Sequence, residues 1–399
     1  MKCIAGLMLV ALWGWTGCAS RPNGEEAPTT STRGSAPIPS VTATASAVAV
    51  TPAPTASVVS SPSIEPARTI TLPMKGRPSY AAHCRPPASS ANKKDLVAVT
   101  PADDGKTSIY ELDLEGDRAA AVAELPVSAH ALAFSADCSH LLTGHSASGD
   151  HRATLFQLRR NGEKLVPQKA AQFGPYPLPV LGIALDFATG RVAIGTNSGS
   201  MQLYDVRSGA ARELGSDPGP KDREPAMTAT FQKDQLFVGY FRGRVRAFRA
   251  KKKLELDTDS VVTAGPNREK GFVNLETGEI VVPGGSRIWS IESLSDGLLI
   301  LDERGSVTKC DTSGQTHELV SGLVNPSKMA VSPGGSYIAV AGGPGSVWRL
   351  GEKAQNIADL NGFDRVGTYD AATGISFADD KTVLVVGFLS PTVRVYRLP

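Results

Sequence analysis

Apolar and polar residues alternate over short stretches of this chain between residues 75 and 399, which is the two-residue period of β-strands. Gly, Asp, Ser and Pro interrupt these stretches every few residues, as turn residues do between strands. No long stretch of this region repeats its apolar residues at the helical period. The pattern therefore predicts an all-β fold built from short strands.

One sequence unit recurs seven times in this region. Each copy starts at a small turn residue, continues as an alternating strand and usually has a large side chain five residues after the turn; the copies start at Gly105, Gly149, Gly199, Gly243, Gly305, Gly345 and Pro391. The spacing is close to the roughly 40–50 residues that a four-stranded blade needs. Because such a unit cannot bury its own apolar face, it must stack on its neighbours. We therefore predict a seven-bladed β-propeller.

The interval from Gly243 to Gly305 is the longest, and it leaves an eight-bladed ring as the alternative. Two blades in this interval would have ~31 residues each, which is too few for four strands apiece. One blade with an insertion of about 18 residues fits better. We place the insertion near Asn267–Gly285, where the segments around Phe272 and Ile280 predict an extra hairpin.

A ring of sheets must close, because an open edge exposes unpaired backbone groups. The last repeat supplies three strands before Pro399. The alternating segment Thr69–Leu72 precedes the first repeat. We predict that this segment joins the last blade and completes it.

Residues 1–17 have the pattern of an export signal, with a positive Lys2 and an apolar run that extends to Trp15. The run is too short for a membrane-spanning helix. The segment Thr16–Ser20 resembles the lipobox of bacterial lipoproteins, and this resemblance implies cleavage before Cys18 and lipidation of that residue. The absence of an acidic residue after the cysteine resembles the sorting pattern for the outer membrane. An ordinary signal peptide with an incidental Cys18 is the alternative.

Residues 18–67 are rich in Ser, Thr, Ala, Pro and Val and contain no aromatic residue. Such a segment cannot bury enough surface to offset the entropy of ordering it. We expect a disordered tether with a root-mean-square reach of ~40 Å, although Ser/Thr/Pro tracts are also typical of glycosylated stalks. The propeller is predicted to span 68–399.

The chain has 399 residues, of which 20% are charged, and a net charge of +2. This balance is too neutral to indicate nucleic-acid binding by bulk charge. Export places the cysteines in an oxidising compartment, where disulfides persist. Cys84 and Cys138 stand at corresponding points of neighbouring blades, which makes a disulfide between them possible if their Cα atoms approach to about 4.4–6.8 Å. Cys310 replaces the large residue of its repeat, which favours a buried free thiol.

The densest group of possible metal ligands comprises Cys138, His140, His145, Asp150 and His151. His140 and His145 are an odd number of residues apart, so on one strand they point to opposite faces. No CxxC or HExxH spacing reinforces the group, and no serine lies in a G-x-S-x-G elbow. We therefore predict no metal site, no cofactor and no catalytic residue.

A basic strip follows the fourth turn and comprises Arg242, Arg244, Arg246, Arg249, Lys251, Lys252 and Lys253. Three of its arginines alternate and so share one face of a strand. One interpretation is a solvated outer strand whose charges prevent edge pairing. The other is a docking site for an anionic envelope polymer, a lipid headgroup or an acidic protein.

The stretch Leu203–Gly209 resembles the end of the third strand in WD40-repeat proteins, with Tyr204 in place of the usual Trp. The turns Phe134–Asp137 and Val331–Gly335 are similar to the corner between the first and second strands of that family. The resemblance covers roughly residues 76–398 and implies a propeller. The chain is also similar to degenerate bacterial propellers, which include quinoprotein-like and lactonase-like members.

These features predict a monomeric, non-enzymatic interaction scaffold of the bacterial cell envelope, lipid-anchored at the outer membrane and bound to envelope proteins or an anionic polymer. The candidate contact regions are the loops Cys84–Lys94 and Gly174–Pro179, the basic strip and the insertion. The alternative is a lactonase-like or quinoprotein-like enzyme, whose site at the channel mouth would need converging carboxylates or histidines. Binding of a small ligand or glycan is a third possibility.

Overall fold

The computed structural model describes residues 62–87, 94–103, 105–145, 149, 151–220, 223–250, 253–256, 272–274, 279–281, 287–311, 315–343, 345–362, 364–366 and 369–399. Two N-terminal strands, β1 (Ser63–Ile64) and β2 (Arg68–Thr71), precede the first repeat. The strands of these ranges form seven sheets arranged as a ring, with the first strand of each blade innermost. No helix in the described ranges is long and apolar enough to cross a membrane.

The first three blades each have four antiparallel strands in chain order. Blade 1 contains β3 (Pro78–Cys84), β4 (Asp95–Pro101), β5 (Ser108–Asp113) and β6 (Arg118–Glu124). Blade 2 contains β7 (Ala129–Phe134), β8 (His140–His145), β9 (Arg152–Asn161) and β10 (Lys164–Phe173). Blade 3 contains β11 (Val180–Asp186), β12 (Arg191–Thr196), β13 (Met201–Asp205) and β14 (Arg212–Asp217).

The remaining blades complete the ring, and two of them take up an N-terminal strand. Blade 4 contains β15 (Ala226–Gln232), β16 (Gln235–Tyr240), β17 (Arg244–Arg249), β18 (Glu255–Leu256), β19 (Phe272–Asn274) and β20 (Glu279–Val281). Blade 5 contains β21 (Ile288–Leu294), β22 (Gly297–Asp302), β23 (Val307–Asp311) and β24 (Thr316–Val320). Blade 6 contains β25 (Lys328–Val331), β26 (Tyr337–Ala341), β27 (Gly345–Arg349) and β28 (Gln355–Leu360). In blade 7 the short β29 (Asp364–Val366) pairs with the start of β30 (Tyr369–Asp379). Strand β30 is the innermost strand and counts as the first strand of this blade, and β31 (Thr382–Gly387) and β32 (Thr392–Arg397) follow it.

The ring closes through the N-terminal segment, as the sequence predicts. Strand β2 pairs antiparallel with β32, so that Ile70 lies opposite Val393, and the Leu72 backbone nitrogen extends the pairing by a 2.7 Å hydrogen bond to Pro391. Strand β1 pairs in parallel with the outer strand of blade 6, with Ser63 opposite Asp359. This second pairing lies within residues 18–67, the range assigned to the tether. Within the described residues, strand pairing therefore begins at Ser63.

The insertion of blade 4 shares the outer edge of that blade with a shorter strand. Strand β18 pairs with one end of β17, and β20 pairs with the other end, where Val245 lies opposite Ile280. Strand β19 pairs with β20, which confirms the predicted hairpin around Phe272 and Ile280. The long interval thus belongs to a single blade, and the seven-bladed architecture is confirmed over the described residues.

The buried apolar side chains of the described residues form seven clusters, each between two neighbouring blades. The large residue of the repeat supplies this packing: Tyr110, Phe248 and Tyr396 are 1% exposed or less. Full burial of one such side chain stabilises a fold by roughly 1.5–3 kcal/mol. The large residues of the repeat are therefore buried between neighbouring blades, and not in a separate core within each blade.

Candidate functional site

Two kinds of connection meet at one end of the ring. In each of three blades the turn between the second and third strands donates a backbone hydrogen bond to the loop that enters the first strand: Asn197 to Pro179 at 2.8 Å, Phe241 to Pro225 at 3.1 Å and Gly343 to Val324 at 2.7 Å. We call this end the loop face. The opposite end, with the turns after the first and third strands, is the turn face.

The loop face collects exposed apolar side chains. Six large apolar residues of the described chain are exposed, and five of them belong to the loop face: Tyr80, Leu178, Phe241, Val324 and Leu389. The sixth, Val166, lies on the outer strand β10. Scattered exposed apolar residues are ordinary, but their concentration on one side of a domain indicates an interaction surface.

Stacked rings and a guanidinium reinforce this surface. The guanidinium of Arg287 lies 4.3 Å from the ring centre of Phe241 and 4.6 Å from that of Trp289. Tyr80 and His130 stack at 5.3 Å across the junction of blades 1 and 2. Cation–π contacts hold such side chains in place, and Trp, Tyr and Arg are the residues that contribute most binding energy at protein interfaces.

A channel of about 930 Å³ runs inside the ring and is lined by the first strands of all seven blades. Its wall is mostly small or apolar. The ionisable side chains that line it are His83, Asp137, Asp186, Arg191, Lys233, Asp234, Glu292 and Lys328. Several are held within the fold, as in the hydrogen bond between His83 and Asp95 at 2.9 Å and the ion pair between Asp186 and Arg191 at 2.6 Å.

Glu292 and Lys328 lie on the neighbouring first strands β21 and β25. Enclosure by the channel wall raises the pKa of the Glu292 carboxyl to about 7, against the opposing effects of the Lys328 charge and a hydrogen bond from Ser290. The same enclosure lowers the pKa of Lys328, partly offset by Glu292. The side chain of Lys328 still reaches the water of the channel. Both groups therefore line the same channel, and each shifts the pKa of the other through its charge.

The structure brings together Cys84 and Cys138, the two cysteines for which the sequence analysis considers a disulfide. Cys84, at the end of β3, and Cys138, in the turn after β7, form a disulfide with Cα atoms 5.8 Å apart on the turn face. Cys310 is 5% exposed and free, which confirms its predicted state. Burial raises the pKa of its thiol to about 12, so it is unreactive near neutral pH.

The histidines near Cys138 lie at different places and have different partners. His140 stacks on Phe187 at 3.6 Å, and His145 forms a 3.2 Å hydrogen bond with Thr154. Asp150 lies outside the described residues. Within the described ranges, no group of three or more His, Cys, Asp or Glu side chains is arranged to hold a metal ion.

The basic strip is partly used inside the fold. Arg246 is 8% exposed and forms a 2.6 Å ion pair with Asp217 of blade 3, and Arg244 lies 3.3 Å from Glu224. Both arginines belong to β17, which is the third strand of its blade rather than an outer strand. Arg242, Arg249 and Lys253 are exposed, whereas Lys251, Lys252 and Cys18 lie outside the described residues.

The predicted contact loops lie on opposite sides of the ring. The loop Gly174–Pro179 connects β10 to β11 and belongs to the loop face. The loop Cys84–Lys94 connects the first two strands of blade 1 and belongs to the turn face. Much of it, and most of the Asn267–Gly285 insertion, lies outside the described residues.

No protein-family model matches the sequence, and no curated protein matches it. Solved structures are similar in fold. The C-terminal WD40 domain of Sif2 superposes with a TM-score of 0.57 at 14% identity, over 85% of this chain and 99% of that domain. The chain has the fold of a WD40-type β-propeller.

Two further WD40-type propellers match at similar scores. A chain of the mitotic checkpoint complex gives a TM-score of 0.59 at 13% identity, over 84% of this chain and 95% of the other. Raptor from Chaetomium thermophilum gives 0.59 at 11% identity, over 85% of this chain and 29% of that protein. At these identities the likeness concerns the fold alone.

Proposed function

We propose that this chain is a non-enzymatic protein-interaction scaffold of the bacterial cell envelope, held at the membrane by a lipid on Cys18. The loop face is the docking surface, and the partner is an envelope protein with an apolar, aromatic-accepting contact patch. The WD40-like fold suggests such a role, because propellers of this kind present rigid loops around a ring. One structural neighbour is itself part of a multiprotein complex.

The observation that carries the proposal is the placement of the exposed apolar residues. Five of the six in the described chain lie on the loop face, together with the Phe241–Arg287–Trp289 stack. The grouping of these side chains on one face favours an interaction surface, and their burial in a complex would contribute binding energy. Protein is favoured over an anionic polymer, because Arg244 and Arg246 are already paired with acidic residues.

Two identical substitutions test the docking surface. Val324 on the loop face is 56% exposed, and Val166 on the outer strand β10 is 39% exposed. Each is replaced by Asp, and envelope extracts are passed over the immobilised wild type and both variants. We expect proteins retained by the wild type and by Val166→Asp to be lost from Val324→Asp. Equal retention by the two variants, or an absence of retained protein, contradicts the proposal.

The membrane tether is tested separately with Cys18→Ser. The lipobox-like segment supports lipidation of this residue and outer-membrane sorting. We expect the wild type to incorporate labelled palmitate and to sediment with outer membranes, and the variant to be unlabelled and released by osmotic shock. An unlabelled wild type would leave a scaffold without a lipid anchor.

A further inference from the structure

The channel contains a pair of opposite charges that the fold brings near each other but does not join. Glu292 is the fifth residue of β21, and Lys328 is the first residue of β25. The two groups influence each other through their charges, without a hydrogen bond between them. Among the described residues the Lys328 ammonium forms no hydrogen bond or ion pair, whereas the carboxyl of Glu292 accepts a 3.3 Å hydrogen bond from Ser290.

Lys328 keeps part of its hydration because its side chain is exposed, and Glu292 is half-buried, so neither group needs the other as a partner inside the fold. Both groups line the 930 Å³ channel, a volume within the range of small-molecule sites. Perturbed ionisable groups that face a cavity are more often functional than those on a surface. The two groups therefore offer a hydrogen-bond donor and a carboxyl group of unusual pKa to a small molecule in the channel.

The chemistry of the two groups defines that ligand. A cation would be repelled by Lys328, and a doubly charged phosphate would face a single ammonium beside a carboxyl group. A carboxylate can accept a hydrogen bond from the Lys328 ammonium with one oxygen and a hydrogen bond from the protonated Glu292 carboxyl with the other. The adjacent wall includes Trp289, Ile291 and Met329, which favour an apolar body.

We propose that the channel binds a small organic acid, with its carboxylate between Lys328 and Glu292 and its apolar part against the wall of blades 5 and 6. This site is separate from the docking surface and does not depend on it. A small acid within the ring would link the two adjacent blades through ligand contacts that the protein itself does not supply.

The test uses the purified chain and a defined set of probes: acetate, phenylacetate, 3-phenylpropionate and succinate, with the amides phenylacetamide and 3-phenylpropionamide. Binding is measured by saturation-transfer NMR and titration up to about 10 mM, which covers affinities in the millimolar range. We expect at least one aromatic acid to bind, and its amide to bind at least about tenfold more weakly.

Two lysine variants provide the matched comparison. Lys328→Met keeps the length of the side chain and removes its charge, and Lys353→Met does the same in the exposed turn after β27. We expect Lys328→Met to weaken binding of the acid by about tenfold or more, and Lys353→Met to leave it unchanged. Thermal unfolding establishes that both variants are folded.

Three results would overturn the inference: none of the acids binds, an acid and its amide bind equally, or the two lysine variants behave alike. Loss of partner capture by Val324→Asp with unchanged binding of the acid would keep the two sites distinct. Binding of the acid without any protein partner would support the channel site while removing the docking surface.

Discussion

The backbone nitrogen of Gly334 donates a 2.7 Å hydrogen bond to Oδ1 of Asp380, and this bond joins blades 6 and 7 on the turn face. Five other junctions have their own link on this face. These links are the Cys84–Cys138 disulfide, the His140–Phe187 stack, and the hydrogen bonds from Arg191 to the Ala250 carbonyl, from Gln232 to the Gly297 carbonyl and from Arg85 to Asp379. Each crosses from one blade to the next.

The junction between blades 5 and 6 differs from the others on this face. Among the described residues no hydrogen bond, ion pair or ring stack crosses it there, and a cleft of about 630 Å³ lies between the half-buried side chains of Leu294, Leu319, Val331 and Leu350. Glu292 and Lys328 belong to the same two blades. Among the described residues, this junction is therefore held at its turn face by side-chain packing rather than by a polar link.

Removal of the link between blades 6 and 7 should be measurable. Asp380→Ala leaves the Gly334 nitrogen without its acceptor, and we expect a loss of roughly 0.5–1.5 kcal/mol in the free energy of unfolding. Urea denaturation measures it. Asp380→Asn keeps a carbonyl oxygen at the same position and should retain most of the stability. An Ala variant as stable as the wild type would show that water replaces the carboxylate at no cost.

A turn glycine of the repeat makes a second prediction. Gly305 has φ +84°, and a Cβ at this position would overlap the carbonyl oxygen of Leu323, in the loop that enters blade 6. Gly305→Ala should therefore destabilise the fold by about 2 kcal/mol or more, through both left-handed strain and this overlap.

The control is Gly322→Ala. Gly322 has φ +76°, and a Cβ there would meet nothing within 4 Å. This variant should therefore lose about 1 kcal/mol in the free energy of unfolding, from left-handed backbone strain without any overlap. Chemical denaturation compares the two. If both lose the same free energy, the close approach of the loop is not what selects glycine at the repeat anchor.

The sequence predicts the blades because several copies repeat the same two local requirements. Gly199, Gly243 and Gly305 all have positive φ in the turn between the second and third strands. The large residue five positions later is buried against a neighbour, as Tyr110 and Phe248 are. Both requirements depend on local spacing, so they are visible without a structure.

The candidate sites could not be predicted in the same way. Val324, Leu178 and Leu389 are single apolar residues in loops, and nothing in their local pattern shows that they share a face. Glu292 and Lys328 come together through the packing of two blades. Arg246 is buried because it forms an ion pair with Asp217 of another blade. Each of these relationships depends on distant parts of the chain, which alternation along one strand does not encode.

The raised pKa of Glu292 predicts a pH dependence of stability. Its folded value of about 7 lies above its ordinary value of 4.5, so between these values the folded chain binds more protons than the unfolded chain. The contribution of this group to the free energy of unfolding is therefore present at low pH and falls as the pH rises from about 4.5 to 7. Glu292→Gln cannot ionise and should lack this fall.

Urea denaturation of wild type and Glu292→Gln at pH 5, 6, 7 and 8 tests this expectation. The free energy of unfolding of Glu292→Gln should increase relative to that of the wild type as the pH rises, by on the order of 1–3 kcal/mol between pH 5 and 8. Glu352→Gln changes an exposed glutamate after β27, and its free energy of unfolding should vary with pH as that of the wild type does. A constant offset between Glu292→Gln and the wild type would mean that the carboxyl titrates at its ordinary pKa.

The disulfide provides the strongest single test of the turn-face links. It joins residues 54 positions apart, and closing a loop of that length in the unfolded chain is expected to stabilise the fold by roughly 2–4 kcal/mol. The double variant Cys84→Ala/Cys138→Ala should lose this amount, and it avoids leaving a lone reactive thiol. Because the link joins blade 1, next to the closure of the ring, to blade 2, the loss should appear as earlier cooperative unfolding in denaturant.

Mass spectrometry of the protein purified without reductant, and alkylated before any reduction, gives the complementary measurement. Cys84 and Cys138 should be recovered as one linked peptide pair, and Cys310 should be alkylated only after unfolding, because it is buried with a raised pKa. If Cys84 and Cys138 are alkylated in the folded protein, the two blades are held together by their apolar packing instead. The double variant would then lose far less stability than the loop length implies.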